Sequence, residues 1–264
     1  MTRHIRFSLD RGVPGNVADG DPNVRYGLLE GDSVVETAAF DSRPAGPVHR
    51  LAGVRLLPPC WPSKIVCVGR NYVDHAKELG NPVPEEPLIF LKPPSALIAD
   101  GDPIVYPALS QFVSFEGELA LVVGRRARRV RSEEASAILF GYTCLNDITA
   151  RDLQKKDNQW ARAKGFDTFC PAGPWIVPRA ELDLAAVRVC SFVDGEKKQD
   201  APVAGMIFPI DVIIAFVSEF LTLEPGDLIA TGTPPGVGPL QPGSQVRVEV
   251  DGIGALENKV IREG

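Results

Sequence analysis

Several things are scarce in this chain of 264 residues, and each scarcity closes off a class of function. Positive charge is in deficit: 28 Lys and Arg stand against 34 Asp and Glu, a formal net charge of −6. That balance argues against a general nucleic-acid binder, and an anionic substrate would need a local pocket of Lys and Arg. Long apolar runs are missing; the longest, near 212–217, is far too short to span a membrane. The opening M-T-R-H-I-R-F-S-L-D has no apolar core of signal-peptide length, so a cytoplasmic location is expected. The five cysteines, at 60, 67, 144, 170 and 190, are odd in number, scattered and without a C-x-x-C pair. Reduced thiols are expected rather than a disulfide frame or a zinc site. No local feature marks Cys144 or Cys170 as an activated nucleophile.

What is present centres on residues 113–147. The run V-S-F-E-G-E-L-A-L-V-V-G alternates so that Glu116 and Glu118 share one face at the start of a strand that becomes apolar on both sides. Charges on a buried strand are costly unless paired. A second apolar run, G-Y-T-C-L-N-D, ends in Asp147. Three carboxylates without a nearby Cys or His suit a hard cation such as Mg²⁺, Mn²⁺ or Ca²⁺.

Residues 24–29 and 33–37 read as a hairpin, and His4 and His49 as surface residues. The run L-P-P-C-W-P at 57–62 is a stiff connector and marks a division into 1–58 and 59–264. A short strand over 64–68, with Asn71 as N-cap, leads to a brief helix over 73–79 closed by Gly80. His75 and Glu78 then lie at i and i+3, where the carboxylate can orient the imidazole as a general base. The proline-rich 81–87 should be an exposed loop, placed to cover a cleft. Lys92 ends a strand over 87–92, either meeting an anion or snorkelling. Ser132 is expected to cap a helix to Phe140, a short polar helix carries Gln154, and Lys164 sits on a loop. The apolar stripe over 209–221 predicts the clearest helix, in the core. Two Leu-x-Pro-Gly turns precede alternating strands. Between them T-G-T-P-P-G-V-G offers Thr233 as a donor; it is no phosphate loop, because no Gly-Lys-Ser/Thr follows.

Six motifs in order then carry a resemblance: G-R-N-Y-x-x-H-x-x-E, F-L-K-P, F-E-G-E-L, N-D-I-T-A-R-D-L-Q, K-G-F-D-T-x-C-P and the L-E-P-G-D-L-I-A-T-G-T-P-P-G-V-G run. Over about 60–264 the chain resembles the fumarylacetoacetate hydrolase family in its short, single-copy bacterial form. The resemblance implies an α+β, β-rich fold, with a mixed β-roll or β-sandwich catalytic core, short helices and a small β-rich N-terminal domain. It also implies a homodimer or higher homo-oligomer. Mg²⁺ or Mn²⁺ would fall on Glu116, Glu118 and Asp147, and the water-activating pair on His75 and Glu78. Lys164 and Gln154 match residues that polarise substrate oxygens; Arg70, Lys92 and Thr233 match pocket positions.

The chemistry follows from the residue types. A 2-oxo acid can chelate a divalent cation, which stabilises an enolate as a bond at C3 breaks. Hydrolysis of an acylpyruvate, decarboxylation of oxaloacetate and isomerisation of an unsaturated diacid all use that enolate. The His-x-x-Glu pair tilts the expectation toward hydrolysis, since decarboxylation needs no activated water. A non-catalytic, metal-stabilised binding protein is the alternative of another class, and it would have no use for that pair.

Overall fold

The computed structural model describes residues 1–12, 17–41, 43–78, 80 and 82–264. Its first strands are β1 (His4–Ser8), β2 (Val24–Glu30), β3 (Ser33–Thr37), β4 (Pro44–Arg50) and β5 (Arg55–Leu57). The expected hairpin is β2–β3, with Glu30 paired to Ser33 across the turn. Next come β6 (Ile65–Gly69), helix α1 (Val73–Glu78), β7 (Leu88–Lys92), β8 (Leu97–Ile98), β9 (Ile104–Tyr106), β10 (Val113–Phe115) and β11 (Gly117–Val123). The middle holds β12 (Leu139–Asn146), β13 (Thr149–Ala150), α2 (Arg151–Lys156), α3 (Ala161–Lys164) and β14 (Cys170–Pro178). The chain closes with β15 (Arg188–Val193), β16 (Glu196–Pro202), α4 (Ile210–Phe220), β17 (Leu228–Ala230), β18 (Gly238–Pro239), β19 (Gln245–Val250) and β20 (Gly254–Arg262).

One large sheet runs β4-β3-β2-β1-β14-β12-β11-β17-β6-β7, with β5 on β1 and β8 on β14. A small sheet has the order β13-β10-β18 and a third the order β16-β15-β19-β20-β9. This is the strand-rich α+β class that was expected. Both Leu-x-Pro-Gly turns form: Asp227 N–H donates to the Glu224 carbonyl at 3.0 Å and Ser244 N–H to the Gln241 carbonyl at 2.9 Å. Gly226 and Gly243 take φ of 87° and 104°, the positive values a type II turn requires.

β11 is buried along its whole length and feeds two cores. Leu119, Leu121 and Val123 pack with β15, β19 and Ile213, Ile214 and Val217 of α4. Ala120 and Val122 pack on the other side with Ile65, Cys67 and Ile176. Each fully buried Leu contributes about 1.5–3 kcal/mol relative to exposure, so this strand is held rigidly from both faces. α4 is core on one side only; Phe216 and Phe220 meet edge to face on its outer side, and Phe220 is exposed.

Some local expectations give way to long-range contacts. His4 is buried edge-on against Phe140, and His49 Nε2 lies 2.7 Å from Glu36 Oε1, so neither is a plain surface residue. Asn71 does not cap α1: its amide donates to the carbonyls of Phe208 and Thr231 and accepts the Phe208 N–H, tying three loops together. Ser132–Ile138 is a tight 3₁₀ turn with Arg131 at the cap position, and Phe140 and Gly141 belong to β12 because the ladder to β11 claims them. The expected end of α1 at Leu79 and the first loop residue, Asn81, lie outside the described residues. No described helix is long and apolar enough to cross a membrane.

Candidate active site

Glu116 and Asp147 owe their positions to one crossing. β10 and β11 are consecutive yet belong to different sheets, and so do β12 and β13. The two chains cross side by side: Gly117 faces Asn146 in the large sheet, Ser114 faces Thr149 in the small one. Glu116 and Asp147 occupy the crossing itself, joined by the Asp147 N–H to the Glu116 carbonyl at 2.9 Å. The Asn146 side-chain oxygen accepts the Glu116 N–H at 3.0 Å. Glu118, early in β11, reaches the same point. One oxygen from each of Glu116, Glu118 and Asp147 lies within 4.8 Å of the others, and the three residues are 5%, 2% and 0% exposed.

Three buried cations answer these carboxylates. Lys92 Nζ donates to Asp147 Oδ1 at 2.6 Å and to the Ile148 carbonyl at 3.1 Å. Lys164 Nζ bridges Asp147 Oδ2 at 2.5 Å and Glu116 Oε2 at 2.9 Å. Arg151 Nη2 lies 2.5 Å from Glu116 Oε1. Burial alone would raise the Glu116 acid, but Arg151 and Lys164 outweigh it and hold it well below the usual carboxylate range. Burial would likewise lower the Lys164 pKa, but Asp147 and Glu116 raise it. Glu118 has no cation of its own among the described residues. It accepts the Gly232 N–H at 2.7 Å, and burial, then Asp147 and Glu116, push its acid well above the usual range. Only glycine fits at 232: φ is 100°, and a Cβ would meet the Asn71 Cβ at 2.6 Å.

An all-oxygen donor set, buried and with one carboxylate short of positive charge, fits a hard divalent cation. Such an ion would hold Glu118 ionised.

Glu116 and Glu118 face a cavity of about 270 Å³. α1 brings His75 to its wall, 3% exposed, with Nδ1 3.2 Å from Glu78 Oε2. Both Glu78 oxygens accept the Gly236 N–H, at 3.0 and 3.2 Å. A carboxylate only accepts, so Nδ1 carries the proton and Nε2 is the basic nitrogen. Burial lowers the imidazole pKa from 6.5, against the opposing pull of Glu116 and Glu78, so the ring is neutral at pH 7.

Arg70, Gln154, Lys164 and Thr233 also line the cavity. Lys164 is no loop lysine; it is the last residue of α3 and 2% exposed. Lys92 does not line it, and it neither snorkels nor awaits an anion, because Asp147 and Ile148 hold its ammonium. Thr233 is no free donor: its one proton goes to the Gly117 carbonyl at 2.9 Å, while Gln199 donates to it at 2.7 Å. Sequence reasoning missed Arg151, Lys155, Phe90 and Trp160 as wall residues. The spacing of Arg151 to Gln154 and Lys155, i to i+3 and i+4, was the available signal for the first two. Phe90 and Trp160 meet edge to face at 5.3 Å, and no local pattern links them. Cys144 and Cys170 are fully buried away from the cavity, and burial raises both thiols, which removes a cysteine nucleophile.

A strand-rich fold with a buried carboxylate triad, two of whose members face a cavity beside a buried lysine and a carboxylate-oriented imidazole, defines an enzyme with a candidate metal centre. Residues 64–261 match the family described as Fumarylacetoacetate (FAA) hydrolase C-terminal, and residues 3–59 match that described as Rv2993c-like, N-terminal. The chain belongs to the fumarylacetoacetate hydrolase family. It is 43% identical over 245 residues to oxaloacetate tautomerase FAHD2A, mitochondrial, of Homo sapiens, covering 89% of this chain and 78% of that one. The crystal structure of 2-hydroxyhepta-2,4-diene-1,7-dioate isomerase from Mycobacterium marinum superposes with a TM-score of 0.87 at 40% identity, over all of both chains. Maleylpyruvate hydrolase from Sphingobium sp. SYK-6, in complex with manganese(II) ion and pyruvate, gives 0.79 at 32% identity, over 99% of this chain and 100% of that one.

Proposed function

We propose that this enzyme binds a 2-oxo acid at the carboxylate triad and moves a proton at C3, interconverting keto and enol forms or shifting a double bond. The observation that carries the reading is the neutral His75, oriented by Glu78, on the wall of the cavity that Glu116 and Glu118 face. Glu116, Glu118 and Asp147 would hold Mg²⁺ or Mn²⁺. A bound divalent cation supplies Lewis-acid stabilisation of charge developing on oxygen. His75 Nε2 accepts the C3 proton and returns it, and Glu78 steadies the imidazolium between the two transfers. Lys164, with Arg151, keeps Glu116 ionised and offers an ammonium to a substrate oxygen. Gln154, turned toward Arg151 at 3.0 Å, offers its amide N–H groups. Phe90 and Trp160 restrict water at the reacting carbon. No side chain before residue 59 reaches the cavity among the described residues, which supports the division at 58 and 59. Similarity above 40% to a tautomerase supports proton transfer as the first reading.

A second reading, hydrolytic C–C cleavage of an acylpyruvate, rests on the same His75–Glu78 pair acting on water instead of carbon. One experiment separates them. Protein supplemented with Mg²⁺ is mixed in D₂O with oxaloacetate, acylpyruvates and unsaturated 2-hydroxy diacids, and products are identified by NMR. Proton transfer predicts fast deuteration at C3 without fragmentation; release of pyruvate and an acid would displace it in favour of hydrolysis. Absence of both would refute the enolate reading altogether.

A further inference from the structure

Resting on the reading of the triad as a divalent-cation site, we propose that Gln199 is a positioning residue that fixes Glu116 against Glu118 and so biases the site toward Mg²⁺ and against Ca²⁺. Gln199 stands on β16, the edge strand of the third sheet, and is 1% exposed. It is not among the side chains that line the cavity, so it acts through others.

Its hydrogen bonds converge on Gly117, the one residue between the two glutamates. The Gly117 N–H donates to Gln199 Oε1 at 3.0 Å. Gln199 Nε2 donates to Thr233 Oγ1 at 2.7 Å, and Thr233 Oγ1 donates to the Gly117 carbonyl at 2.9 Å. These three bonds close a ring around both polar groups of one backbone residue. Nε2 also donates to the Pro234 carbonyl at 2.7 Å. Only one orientation of the amide satisfies these partners, because a backbone N–H donates and a carbonyl accepts. The Gly117 N–H belongs to the peptide plane that joins it to Glu116, and its carbonyl to the plane that joins it to Glu118. The ring therefore pins both planes between two triad carboxylates, at the residue type with the greatest backbone freedom.

Packing stiffens the same frame. A Cβ on Gly117 would collide with the Ser191 hydroxyl of β15 and meet Val248 Cγ1 of β19 at 3.2 Å, so the third sheet lies directly against it. A Cβ on Gly236 would collide with the Lys198 carbonyl, next to Gln199. The loop 231–236 thus rests on β16 while its Gly232 N–H holds Glu118 and its Gly236 N–H holds Glu78.

Ion size sets what such a frame can distinguish. Mg²⁺ takes oxygens at about 2.0–2.1 Å in a near-ideal octahedron, whereas Ca²⁺ takes them at about 2.3–2.6 Å in flexible geometry. Adjacent octahedral oxygens therefore stand about 2.9 Å apart around Mg²⁺ and about 3.5 Å apart around Ca²⁺. A peptide plane free to turn absorbs that difference of about half an ångström, and a pinned one does not.

The test is calorimetry of Mg²⁺ and Ca²⁺ binding to the full chain without substrate. Gln199→Met keeps the length of the side chain and removes its hydrogen bonds. Thr233→Val keeps the shape and breaks the same ring from its other side, so either variant reads the proposal if the other fails to fold. In each, Mg²⁺ affinity should fall about 10–100-fold, the usual cost of losing a group that orients a metal ligand. Ca²⁺ affinity, with its looser geometry, should change by less than about threefold. Ser191→Ala removes a buried hydroxyl that touches the same glycine but has no hydrogen-bond partner among the described residues, and it should leave the ratio unchanged. An equal loss for both ions, or none for either, would overturn the role of Gln199. A ratio that moves as far in Ser191→Ala would assign the effect to packing and overturn it too. Binding of neither ion by the unaltered protein would overturn the triad reading and this inference with it.

Discussion

Replacing Lys92 with Met tests whether the triad is held together by buried ion pairs. The Lys92 and Asp147 side chains are 0% and 1% exposed, and the ammonium also serves the Ile148 carbonyl. Breaking a buried pair by removing one partner costs about 3–5 kcal/mol. Asp147 keeps Lys164 as a second partner, which places its share at the lower end, about 3 kcal/mol, by the same comparison. The Ile148 carbonyl, left without its donor, adds about 1 kcal/mol. At roughly 2–4 °C per kcal/mol for a chain of this size, the sum is a fall in Tm of about 8–16 °C in chelator. Added Mg²⁺ should narrow the gap, because a divalent cation supplies Asp147 with the charge that Lys92 no longer gives. Thermal unfolding with EDTA and with excess Mg²⁺ reads both effects. A Tm shift under 2 °C in EDTA would refute the ion-pair account, and a gap that Mg²⁺ leaves unchanged would refute cation binding at Asp147.

Three further outcomes follow from the site. His75→Ala should lower turnover by roughly 10²–10⁴-fold while metal binding, read by calorimetry, is retained, and Glu78→Gln should act in the same direction but less. The acid limb of kcat/KM should lie below pH 6.5, because His75 must be neutral to accept a proton and burial lowers its pKa; a limb above 6.5 would contradict the assignment. Glu118 has its folded-state acid raised above 4.5, so without a cation its contribution to stability is complete below that pH and is lost as pH rises toward the raised value. Glu118→Gln should therefore be at least as stable as the parent protein at pH 7.5 in chelator, gain nothing from Mg²⁺, and lack activity.

What was legible in the sequence was local. The alternation through β11, the stripe of α4 and the two Pro-Gly turns depend on neighbours within a few residues, and each formed where its period placed it. The Glu-x-Glu face and Asp147 were legible too, because one apolar run begins with two charges on one face and the next ends in a charge. The burial of Lys164 and Lys92 was not, since their partner Asp147 sits at the crossing between β12 and β13, well away from both in sequence, and an ammonium looks the same whether solvated or paired. Asn71 has the residue type of an N-cap, yet its hydrogen bonds go to Phe208 and Thr231. Thr233 was visible as a hydroxyl, but the carbonyl that takes its proton, on Gly117, was not. Arg151 was present in a quoted motif and passed over, because an arginine after a strand carries no signal until Glu116 is placed beside it.

The crossing at Glu116 and Asp147 has a dynamic consequence. The small sheet β13-β10-β18 is short, and alone it would open locally more often than the large sheet it joins. Both residues at the crossing are proposed ligands, so with a cation bound the two sheets open as one unit. Release of the small sheet then requires release of the ion, and local opening becomes rarer by about 1 + [L]/Kd, roughly a hundredfold at a hundred times the dissociation constant. The amides of Leu240 and Arg151, which pair with the Val113 and Phe112 carbonyls, would exchange with solvent at a rate set by free Mg²⁺. Those in the middle of α4 would report only global unfolding. A cation there would thus be a latch between two layers of the fold as well as a reagent, and a depleted enzyme would admit water along the seam beside the proposed substrate site.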